Sequence, residues 1–241
     1  MKLLMDQYNK IIISLWEEYR ETEPIAPLLY PPLWKNSILF IGLNPSFNET
    51  YIRKLTNAEN VQEYYAFKNW NTNSDKWVKH EQESKEGNYG YSYFKKFIDI
   101  QNHINKILKS SKRWEHIDLF YNRITSQKVL VKKLGLNVGL TEFAEKQLEI
   151  TDRILNELSP EIIIVANAQA ARTFKEHYNP VWVNALGCYQ TRLSGTTVQT
   201  HLTGMLTGQR ALDNESFKSL KWLITRAYAH PVHDIHIRKA K

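Results

Sequence analysis

Two short apolar segments set the narrowest limit on how this chain can fold. "SILFIGL" (residues 37–43) and "EIIIVANA" (residues 161–168) are rich in β-branched side chains, and neither alternates apolar with polar residues. A strand with one solvated face alternates, whereas a strand that is buried on both faces stays apolar along its length. Amphipathic helical patterns separate the candidate strands. The sequence therefore predicts an α/β protein, with helices on both faces of a mostly parallel sheet.

Further elements extend this pattern. "HIDLFYN" (residues 116–122) predicts another buried strand, which ends at Asn122. "CYQTRLSGTTVQTHLTG" (residues 188–204) predicts a hairpin that turns at Ser194 and Gly195. Helices are predicted near residues 1–21, 60–67, 94–108, 141–158, 168–177 and from 213 onward.

One domain is predicted for residues 1–241. Within it, residues 1–35 form a helix and a proline-rich arm, residues 68–91 form a loop insertion, and residues 229–241 form a tail. No apolar stretch approaches the length of a membrane span, so no membrane partner is expected. Cys188 is the only cysteine, which excludes an intrachain disulfide and a multi-cysteine metal site. A cytoplasmic location follows as the default expectation.

The charge of the chain fits a polyanionic partner. Lysine and arginine number 32 against 25 aspartate and glutamate residues, which gives a formal charge of +7. Such an excess favours nucleic acid among the partners, although many basic proteins bind none.

Several well-known motifs are absent from the sequence. It contains no GxGxxG, GxxxxGK[ST], HExxH or GxSxG pattern, which argues against dinucleotide, P-loop, zinc-protease and serine-hydrolase sites. The C-terminal "HPVHDIH" could bind a transition metal, but an incidental histidine-rich tail is the favoured interpretation. No cofactor and no obligate metal are expected.

Polar residues follow the predicted strands where an α/β fold places its ligands. Asn44 and Asn122 stand at two strand ends, and the second arm of the hairpin leads to His201. In open α/β sheets, ligands bind beyond the carboxyl ends of the strands. Each residue also has a purely structural interpretation: Asn44 in a turn, Asn122 as a cap and His201 as a core histidine. Asn167 is interpreted as a helix N-cap.

Four segments, taken in order, resemble the uracil-DNA glycosylase superfamily: "GLNPS", "DLFYN", "IIIVANAQAAR" and "HLTGMLTGQRALDN". The resemblance extends from about residue 37 to residue 225. It is similar in style to the mismatch-specific and single-strand-selective branches, which carry Asn in the first motif. It implies a three-layer α/β/α sandwich around a central, mostly parallel four-stranded sheet.

The resemblance also implies roles for individual residues. Asn44 and His201 would be catalytic: Asn44 would hold the attacking water, and His201 would stabilise the departing base anion. Asn122 would read the base edge, since its amide offers an acceptor and two donors. Further substrate-binding positions would be Gly42, Pro45, Ser46, Phe47 and Phe67, with Phe47 and Phe67 as candidates to stack on the base.

The segment after His201 is expected to touch DNA. Thr203 stands near the place of the family's Pro and Ser, and Gly204 allows the backbone to approach a phosphate. Met205 or Leu206 would fill the space that the flipped base leaves. Arg210 would contact phosphate.

The expected function is a DNA glycosylase that hydrolyses the N-glycosidic bond of a flipped-out uracil or modified pyrimidine. Its partner would be single-stranded or mismatched DNA, and a monomer is expected. Two alternatives remain open: a module of the same fold that binds DNA or a free base with little or no turnover, and an enzyme that acts on a small nucleotide or nucleoside.

Overall fold

A mixed sheet of six strands lies at the centre of the part of the chain that the structure describes. The protein is described by a computed structural model over residues 1–56, 59–86, 93–208 and 211–229. The strands are, in chain order, β1 (Lys2–Leu3), β2 (Leu33–Trp34), β3 (Ile38–Gly42), β4 (Trp114–Asp118), β5 (Ile162–Ala166), β6 (Val181–Val183), β7 (Cys188–Leu193) and β8 (Thr196–Thr203). The spatial order in the sheet is β4-β3-β5-β8-β7-β6, and β1 pairs with β2 separately.

Helices connect most of these strands, so the predicted α/β class is confirmed. They are α1 (Asp6–Glu18), α2 (Glu49–Thr56), α3 (Val61–Tyr64), α4 (Trp70–Lys85), α5 (Lys95–Leu108), α6 (Gln127–Leu134), α7 (Glu142–Leu158), α8 (Ala168–Tyr178) and α9 (Asn214–Ala229). None of the helices in the described ranges has the length and apolar character needed to cross a membrane.

Parallel pairing is confined to one side of the sheet. β3 pairs in parallel with β4 and with β5, and β5 pairs in parallel with β8. β7 is antiparallel to β8, and β6 is antiparallel to β7. The sheet is thus larger and more mixed than the four expected strands, because the β7–β8 hairpin extends it. Ser194 and Gly195 both have positive φ at the turn, 42° and 85°, as a tight two-residue hairpin requires.

The continuous apolar character of β3 follows from burial on both faces. Leu39 and Ile41 join a core cluster that includes buried residues of α1, α7 and α8. Ile38 and Phe40 join a second cluster with α5 and α9. Because successive side chains of a strand point to opposite faces, helices on both sides require apolar residues at every position.

Local signals located several element ends correctly. Thr141 caps α7 by accepting from the Ala144 amide, and Asn167 caps α8 by accepting from the Gln169 and Ala170 amides. The helix predicted from residue 213 is α9, where Asp213 accepts from the Glu215 and Ser216 amides.

Residues 68–91 do not form the loop that the sequence predicted. Most of this segment is α4, and only residues 87–91 of it lie outside the described part of the chain. The buried side chains of α4 are Trp77, His80 and Ser84, which recur at helical spacing but include a single strongly apolar residue. The helical periodicity was therefore invisible to a search for apolar residues.

Two predictions cannot be placed. Arg210 and the histidines of the C-terminal "HPVHDIH" lie outside the described residues. The proline-rich arm is described, and its residues Leu28, Leu29 and Tyr30 belong to the core.

We expect Trp77→Ala to lower the free energy of unfolding by about 3–5 kcal/mol, because a fully buried indole leaves a large cavity. The variant also loses the hydrogen bond from Trp77 Nε1 to the Tyr64 carbonyl, 3.1 Å long. Trp222→Ala is the matched control: this indole is 58% exposed, and its loss should cost less than about 0.5 kcal/mol. Urea unfolding measures both, and equal effects would contradict the burial of α4.

Candidate functional site

A cleft of about 1120 Å³ opens at the carboxyl ends of β3, β4, β5 and β8. Its walls are the segments that follow these strands, one face of α4 and residues 28–31 of the arm. The predicted location of a site at this edge of the sheet agrees with the position of the cleft. Parallel pairing explains this position, because it brings the carboxyl ends of neighbouring strands to one edge of the sheet.

Asn44 lies in this cleft and is held by its side-chain nitrogen. Nδ2 donates to three backbone carbonyl oxygens, those of Pro45 at 3.0 Å, Asn122 at 2.9 Å and Ile124 at 2.7 Å. All three partners are acceptors, so the amide nitrogen must face them. Oδ1 accepts no hydrogen bond from the described residues and remains available to a molecule in the cleft.

The loop that carries Asn44 is fixed at a second point. Thr125 Oγ1 accepts from the Phe47 amide at 3.1 Å and donates to the Phe47 carbonyl at 2.9 Å. Pro45 and Ser46, between these anchors, line the cleft as predicted positions for ligand contact. The loops after β3 and β4 therefore form one bonded unit.

The side chain of Asn122 does not reach the cleft. β4 ends at Asp118, four residues earlier than predicted, and Asn122 is buried behind the cleft wall. Its Nδ2 donates to Glu23 Oε2 at 2.9 Å, and Glu23 also pairs with Lys133 at 2.6 Å. Only the backbone carbonyl of Asn122 takes part, as an acceptor for Asn44. The expected contact with a base edge is not available in this arrangement.

His201 also lies away from the cleft. It pairs with Ile164 across β5 and β8, and it shares the sheet face that α5 and α9 cover. It lies within β8, two residues before the strand ends. Paired residues of neighbouring strands point to the same face, so the buried His201 side chain points to the face of Ile164. Burial lowers the pKa of His201 to about 4, and its Nε2 has no hydrogen-bond partner among the described residues. The expectation that Asn44, Asn122 and His201 surround one pocket is thus not met.

The two aromatic residues expected to stack on a base belong to the core. Phe67 is buried, and Phe47 is partly buried, with its ring edge-on to Tyr65 at 5.9 Å. Neither lines the cleft. The aromatic residues that do line it are Tyr30, Tyr65, Tyr93 and Phe94.

The segment after β8 contributes only in part. Met205 and Leu206 line the cleft, whereas Thr203 and Gly204 do not. Gly42, the last residue of β3 and another predicted contact, is also absent from its lining. Leu206 is buried in the core cluster of α5 and α9, which leaves the half-buried Met205 as the apolar residue at the rim.

His116 and Asp118 line the cleft and were missed by sequence reasoning. Their side chains are on the same face of β4, with His116 Nε2 3.8 Å from Asp118 Oδ1. Burial first, and then repulsion from Glu81, raises the pKa of Asp118 well above its usual range, against the attraction of Arg123. Burial and the nearby Lys85 lower the pKa of His116 to about 3. The sequence did contain a signal for this pair, because His116 and Asp118 are ionisable residues at alternating positions of an otherwise apolar segment.

Two ion pairs and two helix N-termini lie around the cleft. Arg123 donates to Glu81 at 2.6 Å, and Lys85 pairs with Glu115. The rim also receives the N-termini of α6 and α8, whose caps Ser126 and Asn167 line the cleft. Helix N-termini favour anions. The described residues contain no cluster of three or more acidic, histidine or cysteine side chains arranged to hold a metal ion.

Gly42 has a structural role that the geometry explains. A Cβ atom at this position would lie 2.0 Å from Asp118 Oδ1 and 3.0 Å from His116 Nε2. We expect Gly42→Ala to lower the free energy of unfolding by about 1–3 kcal/mol through overpacking. In an Asp118→Ala background most of this cost should disappear, because the closest atom is gone. Urea unfolding of the four proteins of this cycle measures the coupling, and zero coupling would contradict the contact.

No protein-family model matches the chain. A search of the curated proteins likewise finds no match. The function of the cleft has to be argued from its geometry.

Proposed function

We propose that the protein hydrolyses the N-glycosidic bond of a nucleobase held in the cleft, with a uracil or modified pyrimidine in DNA as the substrate. The observation that carries this proposal is the fixed orientation of the Asn44 amide. Its nitrogen is engaged by three carbonyls, and its Oδ1 is left to accept a hydrogen bond in the cleft. This agrees with the water-holding role that the resemblance implies for Asn44.

The reaction needs an oriented water molecule more than a strong base. The water oxygen bonds to the anomeric carbon as the carbon–nitrogen bond breaks, and the bonding pair leaves with the base. The water loses one proton to solvent, and the departing base is protonated in turn. An amide cannot take up that proton, but it fixes the position of the water. A rigid orienting group lowers the barrier through proximity and alignment.

The finer architecture is part of the proposal. The four strands β4-β3-β5-β8 would be the central sheet of a three-layer sandwich of the glycosylase type, and β7 with β6 an antiparallel extension. The parallel pairings of these four strands and the two helix-covered faces support this view.

DNA is favoured over a free nucleoside by the charge of the chain and of the rim. The formal charge is +7, and Lys128 is exposed at the rim beside the N-terminus of α6. Phosphate groups gain from both a lysine and a helix N-terminus. Met205 at the rim has the apolar character that a residue needs to occupy the place of a flipped base.

A binding module without turnover is the second candidate. The two partners that the resemblance gives to Asn44, the amide of Asn122 and the imidazole of His201, are both turned away from the cleft. A cleft that holds a base but lacks a group to stabilise its anion would bind without releasing product. Base-dependent binding of DNA that yields no abasic product would support this candidate over hydrolysis.

We expect Asn44→Ala to reduce product formation from a uracil-containing oligonucleotide by about 100-fold or more, because the water loses its orienting group. Alkali treatment after incubation reveals the abasic sites. Asn44→Asp should not restore activity. The carboxylate of Asp has no N–H group to donate to the three carbonyl oxygens. The substitution should therefore also lower the free energy of unfolding by about 1–3 kcal/mol.

Asn102→Ala on α5 is the matched control, since this side chain is exposed and lies outside the cleft. It should leave both activity and stability unchanged. Full activity in Asn44→Ala would refute the proposal. A wild-type protein that releases no base from uracil, thymine or oxidised-pyrimidine oligonucleotides would refute it as well.

Binding to single-stranded DNA should weaken with salt, as phosphate contacts require. We expect Lys128→Gln to reduce the slope of log affinity against log salt by about 1. Lys35→Gln is the control, because Lys35 lies just before β3 at the opposite edge of the sheet. Fluorescence anisotropy at several salt concentrations measures both. Absent or salt-independent binding would favour a small nucleoside as substrate.

A further inference from the structure

A buried carboxyl group faces the cleft without a hydrogen-bond partner among the described residues. Asp118 is the last residue of β4, and its side chain is 5% exposed and lines the cleft. Its backbone is satisfied, since the amide donates to the Tyr30 hydroxyl at 2.9 Å. Buried polar groups in proteins are nearly always paired, so a buried carboxyl that is aimed at a cleft indicates a partner from outside the chain.

A second unpaired group lies beside it. His116 Nε2 is buried, has no hydrogen-bond partner in the described structure, and stands 3.8 Å from Asp118 Oδ1. The rings of Tyr93 and Phe94 lie against His116 at centroid distances of 6.1 Å and 5.4 Å, and both also line the cleft. Two polar groups set into an aromatic wall suit a flat, polar-edged ring better than an aliphatic or a strongly charged ligand.

The backbone makes room for this carboxyl. Gly42 is the Cα partner of Asp118 across β3 and β4, and a side chain at residue 42 would collide with Oδ1. Asn44 follows Gly42 by two residues, just beyond the end of β3, and it also lines the cleft. The carboxyl and the water-orienting amide are therefore two separate points along one wall of the same cleft.

The surroundings determine the protonation state of Asp118. The groups around it are Glu81 on α4, Arg123 after β4, His116 on β4 and the Tyr30 hydroxyl of the arm, and Lys85 on α4 acts on the neighbouring His116. Arg123 Nη2 donates to Glu81, while its Nε has no hydrogen-bond partner among the described residues, and Lys85 pairs with Glu115. Burial and the charge of Glu81 raise the pKa of Asp118 well above its usual range. In its protonated form, which burial favours, the carboxyl offers one O–H donor beside one carbonyl acceptor.

We propose that the carboxyl of Asp118 reads the edge of a nucleobase by pairing, in its protonated form, with a ring N–H and the acceptor atom next to it. The ligand class is a base with such an adjacent pair, as in the N3–H and O4 of uracil. Asp118 would take the part that the sequence suggested for Asn122, because a neutral carboxyl and an amide present the same donor–acceptor pair. This inference rests on the proposed function for the identity of the ligand, and it adds the residue and the atoms that select it.

The test compares a variant that keeps this pair with one that removes it. Asp118→Asn keeps a donor beside an acceptor and cannot ionise, whereas Asp118→Leu has similar volume and neither group. The probe is a single-stranded oligonucleotide with one 2′-fluorinated deoxyuridine, which slows glycosidic cleavage. The reference is the same strand with a tetrahydrofuran abasic analogue, because the affinity ratio of the two isolates the contribution of the base.

We expect Asp118→Asn to keep this ratio within about threefold of wild type, and Asp118→Leu to reduce it about tenfold or more. Affinity for the abasic strand should be unchanged in both, which also shows that they fold. Gly42→Ala displaces the carboxyl without removing it and should lower the ratio too. An equal loss in Asp118→Asn and Asp118→Leu would overturn the proposal in favour of an ionised carboxylate. An unchanged ratio in Asp118→Leu, or no base preference in wild type, would also overturn it.

Measurement of product separates this inference from the proposed function. Base-dependent binding that Asp118→Leu abolishes, without any abasic product from ordinary deoxyuridine, would support Asp118 and refute hydrolysis. Product formation that continues unchanged in Asp118→Leu would refute Asp118 and leave hydrolysis in place.

Discussion

Parallel pairing of β3 with β4 and β5 is the constraint on which the rest of the site depends. The pairing continues beyond the strands, where the amides of Leu119 and Phe120 donate to the carbonyls of Gly42 and Leu43. The loops after β3 and β4 therefore leave the sheet side by side. Because the two loops are neighbours, the Asn44 side-chain nitrogen reaches the carbonyl oxygens of residues 122 and 124. The cleft lies at the edge of the sheet where these parallel strands end.

Asn44 combines the structural and the functional interpretation that the sequence left open. Its side-chain nitrogen donates to backbone carbonyls, as an amide in a turn does, but two of these carbonyls belong to the loop after β4, which is far from Asn44 in the chain. Its oxygen faces the cleft because the nitrogen is engaged. This explains the choice of Asn over Asp on structural grounds alone, since a carboxylate would face three carbonyl oxygens.

The sequence predicted those features that depend on local chemistry. The helix starts near residues 141 and 213, the cap at Asn167 and the turn at residues 194–195 each have a local signal, and each is where the sequence placed it. The directions of Asn122 and His201 could not be predicted in this way. A strand that is buried on both faces carries no alternation, and a shift of one residue sends a side chain to the opposite face. The buried run also continues past the end of β4, through Leu119, Phe120 and Tyr121, which hid the true strand end.

The distribution of paired and unpaired charges along one wall gives the strongest indication of where a ligand contacts this protein. Two partly buried ion pairs, Arg123 with Glu81 and Lys85 with Glu115, lie next to the cleft. Asp118 and His116 line the same cleft with His116 Nε2 3.8 Å from Asp118 Oδ1, and neither side chain is hydrogen-bonded among the described residues. An unsatisfied buried polar group costs about 1–3 kcal/mol, so leaving two together lowers the stability of the free protein. A planar ligand with donor and acceptor atoms on its edge would recover that free energy on binding, whereas an apolar ligand could not. The preference for a ligand with a polar edge thus follows from the two side chains of the cleft wall, Asp118 and His116, that the fold leaves without hydrogen bonds.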